Sequence, residues 1–141
     1  MSRKSERIAA LIEGVDASGV DPHYAGYFAC FNHGLYYEAH DVLEEMWLPV
    51  RRQPDGDFYK GLIQLAGAFV HLQKERLRPA DALFGLAEVN LAKFPDRHLG
   101  FDVASARRLI ADWRARLAAN GFSLNPLRSE TAPRLELTCP E

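Results

Sequence analysis

Cysteine is scarce in this chain. Cys30 lies in the aromatic stretch Tyr27-Phe28-Ala29-Cys30-Phe31, and Cys139 lies within the last three residues. No bridge between them is expected, and without a paired C-x-x-C the sequence offers neither a disulfide framework nor a cysteine metal site. Reduced thiols fit a cytoplasmic protein. Long apolar runs are missing too. None approaches the roughly 20 residues that span a bilayer, so no membrane partner is expected. The opening MSRKSERIAALIEGV has basic residues but no extended apolar core and no cleavage site, so it reads as a first helix and not as a signal peptide. Charge of one sign is also lacking. Seventeen Lys and Arg face 19 Asp and Glu, for a net charge of −2, which supplies no field to attract nucleic acid. The nearest thing to a basic patch, Arg107, Arg108, Arg114 and Arg116, is interrupted by Asp102 and Asp112 and reads as a solvated helix face. Strand alternation, low-complexity segments and repeats of fixed period are absent.

What remains is helical periodicity on a 48% hydrophobic chain of 141 residues, enough for one globular core. A first helix is expected over residues 5–12, with Ile8, Leu11 and Ile12 on one face. Gly14 ends it, and residues 15–20 read as a loop. Asp21-Pro22 is a start signal, an N-cap acceptor followed by proline at the first helical position. That second helix turns Tyr24, Phe28 and Phe31 inward and ends at Asn32-His33-Gly34. The third runs over residues 35–48 and stops before Pro49. Pro54-Asp55-Gly56 makes a turn before the fourth helix, 57–75, the longest and most apolar. Pro79 opens a fifth to about residue 93, with Leu83, Leu86 and Leu91 inside, and Phe94-Pro95-Asp96 breaks it. Asp102 caps a sixth to residue 119, with Val103, Leu109, Ile110, Trp113 and Leu117 inside, and Gly121 closes it. The expected fold is all-α: a compact bundle of five to six helices around a central antiparallel hairpin formed by the third and fourth. Residues 1–121 form one helical domain. Residues 122–141 form an extended, partly mobile tail, with Leu124, Leu127, Leu135 and Leu137 as a strap.

Two stretches carry chemical information, FNHGLYYEAHDVLEEMW (31–47) and FYKGLIQLAGAFVHLQK (58–74). At 100° per residue, Leu35, Ala39, Val42, Leu43 and Met46 form the apolar stripe of the third helix. Tyr36, His40, Glu44 and Trp47 line its edge, and Glu38, Asp41 and Glu45 face water. His40 and Glu44, four apart, are neighbours. On the fourth helix Gly61, Gln64, Ala68 and His71 share a stripe. Antiparallel packing would bring the His40–Glu44 edge to Gln64 and His71. A buried polar group without a partner costs about 1–3 kcal/mol, so these four are expected to meet each other or a ligand. In one reading they form a structural network fixing the register of two helices in a non-enzymatic interaction module, with a basic partner for the acidic face of Glu38, Asp41 and Glu45. In the other they form a site. His40, Glu44 and His71 then hold a divalent transition metal, or His40 is a general base oriented by Glu44 while Gln64 holds a substrate carbonyl. The repeated Glu-x-x-His of di-iron bundles and H-E-x-x-H are both absent, and no nucleophile stands beside His40. Whether the protein is an enzyme is left open, and a homodimer is a candidate assembly.

The two stretches resemble the signature of a small bacterial and archaeal helical family of unknown function, F-N-x-G-x-Y-[FY]-E-A-H-[ED]-x-L-E-x-x-W followed by G-L-I-Q-x-A-x-x-x-x-H. The matching residues are Phe31, Asn32, Gly34, Tyr36, Tyr37, Glu38, Ala39, His40, Asp41, Leu43, Glu44 and Trp47, then Gly61, Leu62, Ile63, Gln64, Ala66 and His71. The resemblance covers about residues 21–108. It departs at Ala80-Asp81-Ala82, where the family has a glycine-alanine pair, and in the long tail. It implies a compact helical bundle and supplies no reaction. The candidate polar site is therefore Glu38, His40, Glu44, Trp47, Gln64 and His71.

Overall fold

A computed structural model describes residues 3–14 and 20–138. Six α-helices make up the bundle: α1 (Arg3–Ile12), α2 (Pro22–Asn32), α3 (Tyr36–Trp47), α4 (Gly56–Gln73), α5 (Leu77–Leu91) and α6 (Val103–Ala119). The expected loop falls outside the described residues at 15–19, as does Cys139. The start of α2 follows its local signal. Asp21 accepts a hydrogen bond from the His23 amide at 2.8 Å, and Pro22 takes the first helical position. Gly34, at φ +74°, makes the left-handed turn that lets the Leu35 amide return to the Cys30 carbonyl.

α2 is buried nearly all round, with Tyr24, Tyr27, Phe28, Cys30 and Phe31 enclosed. Its Tyr27 hydroxyl donates to the Leu62 carbonyl of α4 at 2.6 Å. α4 packs against α3 on one side and α5 on the other. Gly61 makes the second contact close, since a Cβ there would stand 3.0 Å from Leu91. Edge-to-face aromatic pairs join the layers. Phe69 meets Phe31, Phe84 and Trp113 with ring centroids 4.9–5.5 Å apart. α1 lies across α2 and α3, and its Ile12 sits over Gly26. No described helix is long and apolar enough to cross a membrane.

Several local expectations need correction. Leu86 is 51% exposed, because α5 buries Ala80, Phe84, Ala87 and Leu91, a stripe on the far side of the helix. Leu35 is exposed at the mouth of α3, while Tyr36, expected at the edge, is core. Pro49 does not end the chain's helical path at once, since a short 3-10 turn continues over Leu48–Val50. A two-residue hairpin was not expected. β1 (Arg97–His98) and β2 (Phe101–Asp102) pair through a turn in which Leu99 and Gly100 both take positive φ. The segment after α6 runs extended against the helices. The Asn32 side chain exchanges two hydrogen bonds with the Leu135 backbone (2.7 and 2.8 Å), Asn125 donates to the Leu72 carbonyl (2.6 Å), and the Thr138 amide donates to Gly100 (2.8 Å). Leu135 is buried, whereas Leu124 faces solvent.

Candidate functional site

The four polar side chains on α3 and α4 do not form one network: His40 and Glu44 belong to one, Gln64 to another, and His71 to neither. Asp41, expected to face water, is 2% exposed. Arg7 donates to its Oδ2 at 2.6 Å, and the Lys4 ammonium lies 3.6 Å from its Oδ1. Lys4 also donates to Glu44 at 3.0 Å, and that bond, the largest cause, raises the lysine pKa. The wheel of α3 alone could not show this. The face that looked solvated is the one α1 covers, and α1 brings the cations. His40 hydrogen-bonds through Nδ1 to Asp41 at 3.1 Å. Its Nε2 stands 3.6 Å from Glu44, beyond hydrogen-bond length. At that separation Glu44 makes no hydrogen bond to the imidazole.

The second network runs from α4 to α5. Asn90 donates to Gln64 Oε1 at 2.8 Å, Lys93 donates to Asn90 Oδ1 at 3.2 Å, and Lys93 reaches Asp57 at 2.9 Å. Gln64 thus finds its partner on the following helix, not the preceding one. Asn90 is buried, and carried no signal as an isolated asparagine in an apolar run. Trp47 donates its indole N–H to the Gly56 carbonyl at 3.0 Å, closing the loop between α3 and α4. Glu38 is half-buried. Burial first, and the Glu38 charge second, push the Cys30 thiol pKa up, the direction of an inert thiol.

Three predicted residues do converge. His40, Gln64 and His71 line a cleft of about 210 Å³ formed by α3, α4 and α5, floored by Ile63, Val70 and Leu83. Tyr37, half-exposed, stacks on His40 with rings 25° apart at its rim. His71 Nδ1 is buried without a hydrogen-bond partner. Burial, then Arg76 and Lys74, lower its pKa and hold the ring neutral near pH 7. Glu44 is not part of this lining. Among the described residues no group of three or more His, Cys, Asp and Glu is arranged to hold a metal ion.

Residues 24–83 match a family model described as a domain of unknown function, DUF309. No curated protein and no solved structure matches the chain. The matched segment carries most of α2, all of α3 and α4 and the first half of α5, and so contains Glu38, His40, Glu44, Trp47, Gln64 and His71. Its description names no reaction.

Two histidines outside the cleft also have carboxylate partners. His23 Nε2 lies 2.9 Å from Glu45, and His98 Nε2 lies 2.8 Å from Asp55. Those partners are 22 and 43 residues away in the chain, so no local pattern announces them.

Proposed function

We propose that this domain is a binding module whose α3–α4–α5 cleft receives a single ring-sized group with a hydrogen-bonding tip, such as the phenol of a tyrosine side chain on a partner. The observation that carries the reading is the convergence of three polar side chains, His40, Gln64 and His71, on a cleft otherwise lined by Tyr37, Ile63, Gly67, Val70 and Leu83. Ligand sites are typically apolar with a few convergent polar groups, and commonly about 300–1,000 Å³. A volume of about 210 Å³ is closer to one large side chain than to a whole metabolite. The two polar networks then act as staples that fix helix register around the cleft, since their members satisfy one another. No serine, threonine or cysteine is among the described residues lining the cleft, which favours recognition over nucleophilic chemistry.

The test uses p-cresol as a stand-in for a tyrosine side chain, with toluene beside it, followed by NMR of the histidine rings. Saturable shifts at His40 and His71 with p-cresol, and weaker ones with toluene, support the proposal. Equal response to both probes, or none, would sink it. Plasma mass spectrometry of the purified, untagged protein belongs beside this experiment. A metal near stoichiometry that disappears in His71→Ala would replace the module with a metal centre.

A further inference from the structure

α1 is held to the bundle more by charge than by apolar contact. Ile8 is its one buried residue, with Leu11 and Ile12 partly covered. Across from it on α3 lies Asp41, 2% exposed. Arg7 donates to Asp41 Oδ2 at 2.6 Å, and the Lys4 ammonium stands 3.6 Å from Asp41 Oδ1 and 3.0 Å from Glu44 Oε1. Both cations are themselves about half exposed. A carboxylate taken out of water is tolerated only while it is paired. Asp41 is dry because α1 lies over it, and α1 also brings the charges that make the dryness tolerable. Without those charges, lifting α1 is the way to return Asp41 to water. The pairs thus separate two states of α1 and do not merely add a graded attraction.

The same pairs touch the cleft. Arg7 Cζ lies 6.0 Å from the centre of the Tyr37 ring, within cation–π reach. Tyr37 is stacked on His40, and both line the cleft. His40 Nδ1 is 3.1 Å from the Asp41 oxygen that Lys4 faces. Tyr37 and Asp41 are four apart on α3 and so are neighbours, which lets one guanidinium reach both. A single arginine of α1 therefore holds a rim residue of the cleft directly and, through Asp41, supports the imidazole beside it.

We propose that α1 is an electrostatic latch that sets the rim of the α3–α4–α5 cleft. Latched, Arg7 and Lys4 keep Asp41 dry and hold Tyr37 against His40, so the rim is ordered before a ligand arrives. Released, Asp41 is hydrated and the Tyr37–His40 stack loosens. Binding must then order the rim itself, which lowers affinity. The regulation rests on the reading of the cleft as a binding site; the latch itself does not. Raising ionic strength from about 0.1 M to about 1 M shortens the screening length from about 10 Å to about 3 Å, so salt is a release signal.

The experiment compares the whole chain with two double variants, Lys4→Gln with Arg7→Gln and Lys4→Arg with Arg7→Lys. Hydrogen exchange reads α1, and p-cresol titration followed by NMR of the His40 and His71 rings reads the cleft. In the charge-free variant the α1 amides should exchange roughly tenfold faster or more, and p-cresol affinity should fall roughly fivefold or more. The charge-retaining variant should match the wild type in both. Sodium chloride at about 1 M should reproduce both effects in the wild type and add little to the charge-free variant. Lys4 and Arg7 are exposed, so both variants should fold, which circular dichroism checks. Unchanged α1 exchange in the charge-free variant would overturn the latch. Faster α1 exchange with unchanged p-cresol affinity would overturn its control of the cleft. If the wild type takes up no p-cresol, the cleft reading falls and this regulation with it, whatever α1 does.

Discussion

His71→Leu is expected to stabilise the protein while abolishing the binding proposed for its cleft. The imidazole Nδ1 is buried with no partner, and an unsatisfied buried polar atom costs about 1–3 kcal/mol. Leucine removes that atom and adds a branched side chain beside Ile63, Val70 and Leu83 on the cleft floor. Some of the gain is offset by imperfect fit, which leaves about 1–2 kcal/mol. At roughly 3–5 °C per kcal/mol for a chain of 141 residues, the melting temperature should rise by about 3–10 °C at pH 7.5. The pH dependence adds a second handle. The folded pKa of His71 lies below its ordinary value of 6.5, with burial the main cause. Unfolding therefore takes up a proton as pH falls through that value, and the wild-type protein loses stability there. The leucine variant lacks this loss, so the gap between the two should widen from pH 7.5 to pH 5.5. Scanning calorimetry at both pH values reads the two effects. A variant that melts lower than wild type at pH 7.5, or a gap that stays constant or narrows in acid, would refute the reasoning.

Three further outcomes test the two networks and the loop between α3 and α4. Asp41→Ala should lower stability by about 1.5–3 kcal/mol, measured by urea unfolding, through loss of hydrogen bonds to charged groups. Hydrogen exchange should show it as faster opening of α1, whereas a change confined to α4 and α5 would contradict the geometry. Gln64→Leu should cost about 1–3 kcal/mol by stranding the Asn90 amide, and Asn90→Leu in the same chain should recover most of that loss. Gly56→Ala should cost about 1–3 kcal/mol or more, because a Cβ there would overlap the Arg51 carbonyl and push the 51–55 loop aside. Trp47 fluorescence should report the displaced loop, since its indole N–H is bonded to Gly56.

The helices were legible because their signals are local. Asp21-Pro22 begins α2, Asp102 caps α6 by accepting from the Ser105 amide at 2.9 Å, and Gly34 and Gly121 follow helix ends in left-handed conformations. A fixed period of 3.6 residues then placed Phe58, Leu62, Leu65, Phe69 and Leu72 on the inner face of α4, where all are buried. Three of the four polar residues singled out on α3 and α4 do share a cleft, because small and polar positions on one helical stripe must face something.

What the chain alone could not decide is which neighbour each polar group meets. A helical wheel gives the direction of a side chain but not what lies there. Asp41 looked solvated until α1 was laid over it with Lys4 and Arg7, and Gln64 looked toward α3 until Asn90 of α5 took its oxygen. Those partners sit between 26 and 37 residues away, or are separated by a whole helix, and only packing brings them within 4 Å. The unpartnered His71 nitrogen and Tyr36 hydroxyl are likewise tertiary facts. Sequence determines that a polar atom is present on a helix, but the packing of all six helices decides whether it is satisfied.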